Sequence, residues 1–221
     1  MEPKIYMTDF QDICFGNPSF FVFGKKLFPD ADLKRKNIAV SVLGKVLLKY
    51  AFLQEFPDSE LPELKFSDSG KPFFETEKPF HFNISHTGNR AVVASAPFEI
   101  GVDVEFLRKC NLEIAARFFN PKEYGYLKSF PAGDGQDVAF TQLWTMKESC
   151  VKLVGTGISN TFDKFSVDVE NGTTSCFGKN YYFKNVKSED GCFVSLCTKE
   201  KDVAVEVIFV EVEELLRCLY I

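Results

Sequence analysis

Histidine occurs only twice in this chain of 221 residues, and tryptophan once. No run of eighteen apolar residues exists, so no membrane-spanning helix is expected. The opening Met1-Glu2-Pro3-Lys4-Ile5 lacks the apolar stretch of a secretory signal. Both absences point to a cytoplasmic protein. The seven cysteines are odd in number, and none forms a C-x-x-C pair. That argues against a disulfide framework or a zinc knuckle, and reduced thiols are expected. With no secretory signal, Asn171-Gly172-Thr173 reads as a hairpin turn and not as a glycosylation sequon. A Walker loop, a G-x-G-x-x-G turn and a G-x-S-x-G elbow are all missing. A net charge of −5 argues against nucleic acid as the partner, because basic surface supplies most of that affinity.

What the chain does have is apolar bulk. It is 45% hydrophobic with 25 phenylalanines, enough for one sizeable core or two small ones. Residues 4–10 read as an opening strand, and Phe20–Phe23 as a short strand inside a Gly/Pro-punctuated stretch. A long helix is expected from Asp32, as its cap, to Phe56, where Pro57 stops it. Strands follow at 64–66, 81–86, 91–96 and 99–106, with turns at Ser69-Gly70-Lys71-Pro72 and Thr87-Gly88-Asn89-Arg90. Helices are expected over 112–119, from Pro121, and over 138–154, with a Gly-rich loop at 131–138. Gly155-Thr156-Gly157 ends the last of these as a helix stop. The remaining pattern is strands at 165–169, 174–177, 181–184, 192–198 and 203–210, then a short helix over 211–219. The succession of helix and strands, twice over, predicts an α+β protein of two halves joined near residues 101–110, with a site between them.

Two stretches carry the chemistry. Trp144, Glu148 and Lys152 are spaced i, i+4, i+8, on one face of a helix. Glu148 and Lys152 could be a plain surface pair, or a metal ligand beside a phosphate-binding cation. In Ile100-Gly101-Val102-Asp103-Val104-Glu105, strand alternation puts Gly101, Asp103 and Glu105 on one face and the apolar residues on the other. Asp103 and Glu105 then stand about 7 Å apart by strand rise, beside a glycine that leaves room for a ligand. Oxygen donors of this kind suit Mg²⁺, with Glu148 as a third carboxylate. The plain alternative is a solvent-facing sheet edge. His86, at a strand end beside Ser85 and Thr87-Gly88, is either structural or a donor to an anion. The clusters Lys25-Lys26 and Lys34-Arg35-Lys36 are solvated surface or a local patch for a polyanion.

Taken in order, Gly70-Lys71-Pro72, Phe82-Asn83-Ile84-Ser85-His86-Thr87-Gly88, Gly101-Val102-Asp103-Val104-Glu105 and Trp144-Thr145-Met146-Lys147-Glu148-Ser149 with Lys152 and Gly155-x-Gly157 resemble the 4′-phosphopantetheinyl transferases of the Sfp type. Ala115-Ala116-Arg117-Phe118-Phe119 and Glu123-Tyr124 add to the likeness, which spans about residues 64–165. The resemblance implies two similar α/β subdomains in a pseudo-twofold arrangement, 1–103 and 104–221, each a mainly antiparallel sheet packed on a long helix. It places the active site in the cleft between them.

It also implies a reaction: transfer of the phosphopantetheine arm of coenzyme A to a serine of an acyl or peptidyl carrier protein, releasing adenosine 3′,5′-bisphosphate. By motif position Asp103, Glu105 and Glu148 would hold Mg²⁺, with Mn²⁺ as a substitute. Glu148 and Lys152 would be catalytic, and Lys71, Ser85, His86, Lys152 and Arg35 would contact coenzyme A. One departure stands out: Val40 occupies a position where the family often carries arginine, and Lys34, Arg35, Lys36 or Lys45 could supply that charge from a different turn. The expected partners are coenzyme A and the carrier, with no nucleic acid and no membrane, and the chain is expected to be a monomer. The carrier, from a fatty acid, polyketide or nonribosomal peptide pathway, would dock around 112–128 and 131–138. A non-catalytic coenzyme A or carrier-binding module, and a Mg²⁺-dependent pyrophosphate hydrolase, are the competing readings.

Overall fold

The computed structural model describes residues 2–156, 162–176, 178–188 and 190–220. The chain opens with β1 (Lys4–Asp9), a 3₁₀ turn (Asp12–Gly16), α1 (Pro18–Leu27) and the long α2 (Lys36–Glu55). A short hairpin, β2 (Leu64–Phe66) and β3 (Pro72–Phe74), leads to β4 (His81–Thr87), β5 (Arg90–Ala96) and β6 (Ile100–Phe106). Helices α3 (Leu112–Phe118), α4 (Pro121–Lys128) and α5 (Asp134–Val154) follow. The strands β7 (Val167–Asp168), β8 (Thr173–Cys176), β9 (Lys179–Lys187), β10 (Cys192–Thr198) and β11 (Glu206–Phe209) come next, and α6 (Val212–Arg217) with a last 3₁₀ turn closes the chain.

These elements fall into two units. The first takes Met1–Lys65, Phe74–Phe98 and Ala204–Ile221. Its sheet runs β11-β1-β5-β4, antiparallel except for the parallel pairing of β1 with β11. The closing segment therefore belongs with the first unit, whereas the linear division at 103/104 kept it with the second. Helix α2 covers the sheet face that carries Tyr6, Phe82, Ala91 and Val93. Phe52, Phe56, Phe74, Phe80 and Phe82 fill the core there, with ring centroids 4.8–6.2 Å apart. The β4–β5 hairpin turns through Gly88 at φ +58, a conformation that glycine adopts without strain.

The second unit takes Phe66–Phe73 and Glu99–Val203. Its sheet runs β6-β10-β9-β8-β7 and is antiparallel throughout. Helix α5 lies on it, burying Met146, Cys150 and Leu153 with Tyr181, Phe183 and Cys197. Helices α3 and α4 are capped by Asn111 and Asn120, the latter in a full capping box with Glu123 and with Pro121 in the first turn. Glu123 is also buried, and its carboxylate is bracketed by the fully buried Lys147 ammonium of α5 at 2.8 and 2.9 Å. Its oxygens accept from the backbone N–H groups of Asn120 and Val167 as well, while Lys147 donates to the Phe165 carbonyl. A buried ion pair survives only with such additional hydrogen bonds. This one ties α4, α5 and the start of β7 together.

Several boundaries differ from expectation, each for a visible reason. Phe20–Phe23 lie in α1 and not in a strand: the Asn17 side chain accepts from Phe20 N, and Pro18 sits where a helix tolerates it. Asp32 is not the cap of α2; it accepts from Lys34 N in a turn, and Arg35 precedes the helix without a side-chain cap. The loop expected over 131–138 is helical from Asp134. Gln136 donates to the Leu127 and Phe130 carbonyls, and Asp137 accepts from Cys110 N, so tertiary bonds hold that first turn. Gly155 ends α5 at φ +77 as expected; Gly157 and Phe177, the last residue of the 174–177 strand, lie outside the described residues.

Gly101 is the most closely packed of the described glycines. A Cβ there would lie 2.0 Å from the Ser149 carbonyl oxygen and 2.6 Å from Leu153 N. Both are helix backbone and cannot swing aside. The missing side chain makes room for α5, not for a ligand. Gly101→Ala should therefore destabilise the protein by about 3 kcal/mol or more, read as the urea midpoint, whereas Gly125→Ala in α4, where a Cβ meets nothing within 4 Å, should be neutral or stabilising by up to about 1 kcal/mol.

Candidate active site

The close approach of α5 to β6 decides what meets what. Gly101, Asp103 and Glu105 share the strand face that α5 covers, and Glu148 and Lys152 lie on the covering helix. Asp103 and Glu148 are both buried, at 5% and 6% exposure. Lys152 Nζ donates to Asp103 Oδ1 at 2.6 Å. The solvent-facing sheet edge is thereby excluded: β6 is an edge strand, but a helix roofs its carboxylates.

Glu105, two residues along the strand, is only half-buried and accepts from Arg108 Nη1 at 3.1 Å. The Arg108 guanidinium lies over the Trp144 ring, 5.1 Å from its centroid, one helical turn before Glu148. Its backbone is held as well: Arg108 N donates to Thr141 Oγ1 and Cys110 N to Asp137 Oδ1. On the sheet side, Ser195 of β10 stands opposite Asp103 in register, and its hydroxyl bonds to both Thr145 Oγ1 and Asn185 Oδ1 at 2.8 Å. Helix and strand are thus pinned on both flanks of the carboxylates.

Burial pushes the Glu148 carboxyl up to about 7; the Asp103 carboxylate adds to this, Lys152 opposes it, and Glu105 and Arg108 make the smaller contributions of either sign. Two buried acids facing each other at neutral pH favour a positive charge between them. All the donors are carboxylate oxygens, the set a hard divalent cation prefers. Asp103, Glu105 and Glu148 fit such an ion in chemistry. Among the described residues, though, no three His, Cys, Asp or Glu side chains stand together as a ready ligand cage. Lys152 and Arg108 instead engage two of the three carboxylates.

Lys71, on the β2–β3 turn, donates to the Leu153 carbonyl at 3.1 Å and so satisfies the end of α5 beside Lys152. Burial lowers the pKa of its ammonium. Ser85 and His86 belong to β4 in the first unit, Ser85 buried and His86 exposed, as strand alternation requires. Arg35 is exposed at the start of α2, with Lys34 and Lys36 beside it. Val40, in contrast, is buried in the first core, and Lys45 is half-buried with its ammonium 4.7 Å from the Phe28 ring centroid. The sequence reading brought together Asp103, Glu105, Glu148 and Lys152 and missed Arg108. The signal that could have found it is a basic residue three positions after Glu105.

A model of the 4′-phosphopantetheinyl transferase superfamily matches residues 99–206, the whole long segment of the second unit. The 4′-phosphopantetheinyl transferase Sfp of Bacillus subtilis (strain 168) is 32% identical over 183 residues, covering 80% of this chain and 81% of that protein. The 4′-phosphopantetheinyl transferase ffp of Bacillus subtilis is 33% identical over 188 residues, with 80% and 81% covered. The 4′-phosphopantetheinyl transferase gsp of Aneurinibacillus migulanus is 32% identical over 142 residues, 63% of this chain and 58% of that one. With likeness running over four fifths of its length, and through the strand and helix that carry the buried acids, this chain belongs to the 4′-phosphopantetheinyl transferase superfamily.

Proposed function

We propose that this transferase moves the 4′-phosphopantetheine arm of coenzyme A onto a serine hydroxyl of an acyl or peptidyl carrier protein, using the carboxylates and lysine where α5 meets β6. The observation that carries this reading is Glu148, a buried acid held near neutrality by its surroundings. The serine oxygen attacks the β-phosphorus of coenzyme A. The bond from that phosphorus to the bridging oxygen breaks, and adenosine 3′,5′-bisphosphate leaves. A base with a pKa near the working pH takes a proton most effectively, and Glu148 would accept the serine proton directly or through a water. Lys152 would leave Asp103 and neutralise charge that grows on the phosphate oxygens. Asp103, Glu105 and Glu148 would hold Mg²⁺, which when bound neutralises the pyrophosphate and steadies the leaving group.

Coenzyme A is a polyanion, and the chain as a whole is acidic, so local cations must bind it. Lys71, Ser85, His86 and Arg35 are the proposed contacts. Buried Val40 cannot reach a phosphate, so the adenosine side falls to the exposed Lys34-Arg35-Lys36 turn. The acidic carrier would dock on α3 and α4, where Arg117, Lys122 and Lys128 are exposed.

The test is the intact mass of an apo carrier protein incubated with this protein, coenzyme A and Mg²⁺. A gain of one phosphopantetheine group is expected; no gain on any of several fatty acid, polyketide and peptide carriers would defeat the proposal. Glu148→Gln and Asp103→Ala should each slow transfer at least about 100-fold while the circular dichroism spectrum and melting temperature stay close to those of the parent. Chelation by EDTA should stop transfer and added Mg²⁺ restore it. Lys152→Ala should lower turnover about 100-fold or more; if it merely shifted the melting point, Lys152 would be only a partner that holds Asp103.

A further inference from the structure

Every acid proposed to hold the cation lies near a positive charge of the chain itself. Asp103 has Lys152, whose release the reaction already requires. Glu105 has Arg108, and nothing in the reaction as written uses Arg108. Yet that arginine is placed with care. Its backbone is fixed to α5 through Thr141, its guanidinium lies over the Trp144 ring, and its tip meets Glu105 Oε1. A planar guanidinium supported in this way is pre-organised, so little freedom is lost in making the ion pair. The pair is also only partly exposed, at 42% and 21% for the two side chains, and water does not screen it fully.

We infer that Arg108 holds Glu105 in place of the divalent cation, and that binding the cation requires Glu105 to exchange Arg108 for the metal. Arg108 is then a positioning residue that acts through Glu105. It keeps the carboxylate oriented in the cation-free protein and opposes the cation for the same oxygen. The inference rests on the proposed metal role of Glu105. It gives Trp144 a role as well, as the platform that the guanidinium lies on.

The experiment titrates Mn²⁺ into the full chain with coenzyme A present and no carrier protein, so nothing turns over. Free Mn²⁺ is read by its electron paramagnetic resonance signal. Arg108→Gln should tighten Mn²⁺ by about threefold to fivefold, the size expected for release from a partly exposed ion pair. The gain should vanish in an Glu105→Gln background, because the effect passes through that carboxylate. Lys109→Gln removes the same charge from the neighbouring exposed position and should change the affinity much less. Unchanged or weaker binding by Arg108→Gln overturns the inference. So does an equal gain with Glu105→Gln present, or an equal gain from Lys109→Gln, since either would reduce Arg108 to background charge. If the parent binds Mn²⁺ and Glu105→Gln weakens it, the metal reading stands even where Arg108 fails. If the parent binds none, both fail together.

Discussion

The packing of α5 backbone directly onto β6 at Gly101 is the constraint from which the site follows. With no side chain on the strand, Ser149 and Leu153 of the helix come within contact distance of where a Cβ would be. Glu148 and Lys152 immediately precede those two residues on the helix, so the same approach sets them by Asp103, two residues along the strand. A larger residue at 101 would lift the helix. The acids would then separate, Lys152 would lose Asp103, and Glu148 would gain solvent. The raised pKa of Glu148 is thus a consequence of a packing distance.

Helix α5 serves two purposes at once. Its Met146, Cys150 and Leu153 belong to the second core, and its Lys147 is locked to Glu123 inside that core. Its Glu148 and Lys152 face the carboxylate strand, and its Trp144 packs with Phe119, Phe140 and Phe162 while carrying the Arg108 guanidinium. Adjacent residues Lys147 and Glu148 therefore carry opposite charges into different surroundings, one satisfied by an ion pair and a carbonyl, the other left near neutrality. The Lys147–Glu123 pair fixes the rotation of α5 about its own axis. The Thr145–Ser195–Asn185 hydrogen bonds fix its height on the sheet. A site held on rigid elements by such surrounding contacts keeps its geometry without help from the ligand.

Charge is distributed on the same plan. The chain is acidic overall, yet Lys152 and Arg108 stand at the two strand acids, Asp103 and Glu105, and Lys71 at the end of α5. Each has a protein partner. A ligand that brings its own negative charge, and a cation that brings positive charge, would exchange those partners instead of adding to an empty cavity. Such exchange keeps the buried charge balanced before and after binding.

The sequence by itself determined a good deal. Period-2 alternation put Asp103 and Glu105 on one strand face, and the i, i+4, i+8 spacing put Trp144, Glu148 and Lys152 on one helix face. Strong local signals, such as Pro57 after α2, Gly155 after α5 and the Gly88 turn, marked their elements correctly because each acts on its own backbone. Where the reading failed, the deciding contact came from far along the chain or from a cap that propensity did not reveal. Asn17 made a helix of Phe20–Phe23, and Gln136 and Asp137 reached other segments to wind the Gly-rich stretch into α5. The last strand joined the first unit by pairing with β1, a partnership two hundred residues apart that no local pattern encodes. Only the tertiary structure decided that Gly101 accommodates a helix and that Lys152 meets Asp103. It alone decided too that Arg108 lies between Trp144 and Glu105, because all three depend on how closely two backbones approach, and a sequence records side chains but not the distance between them.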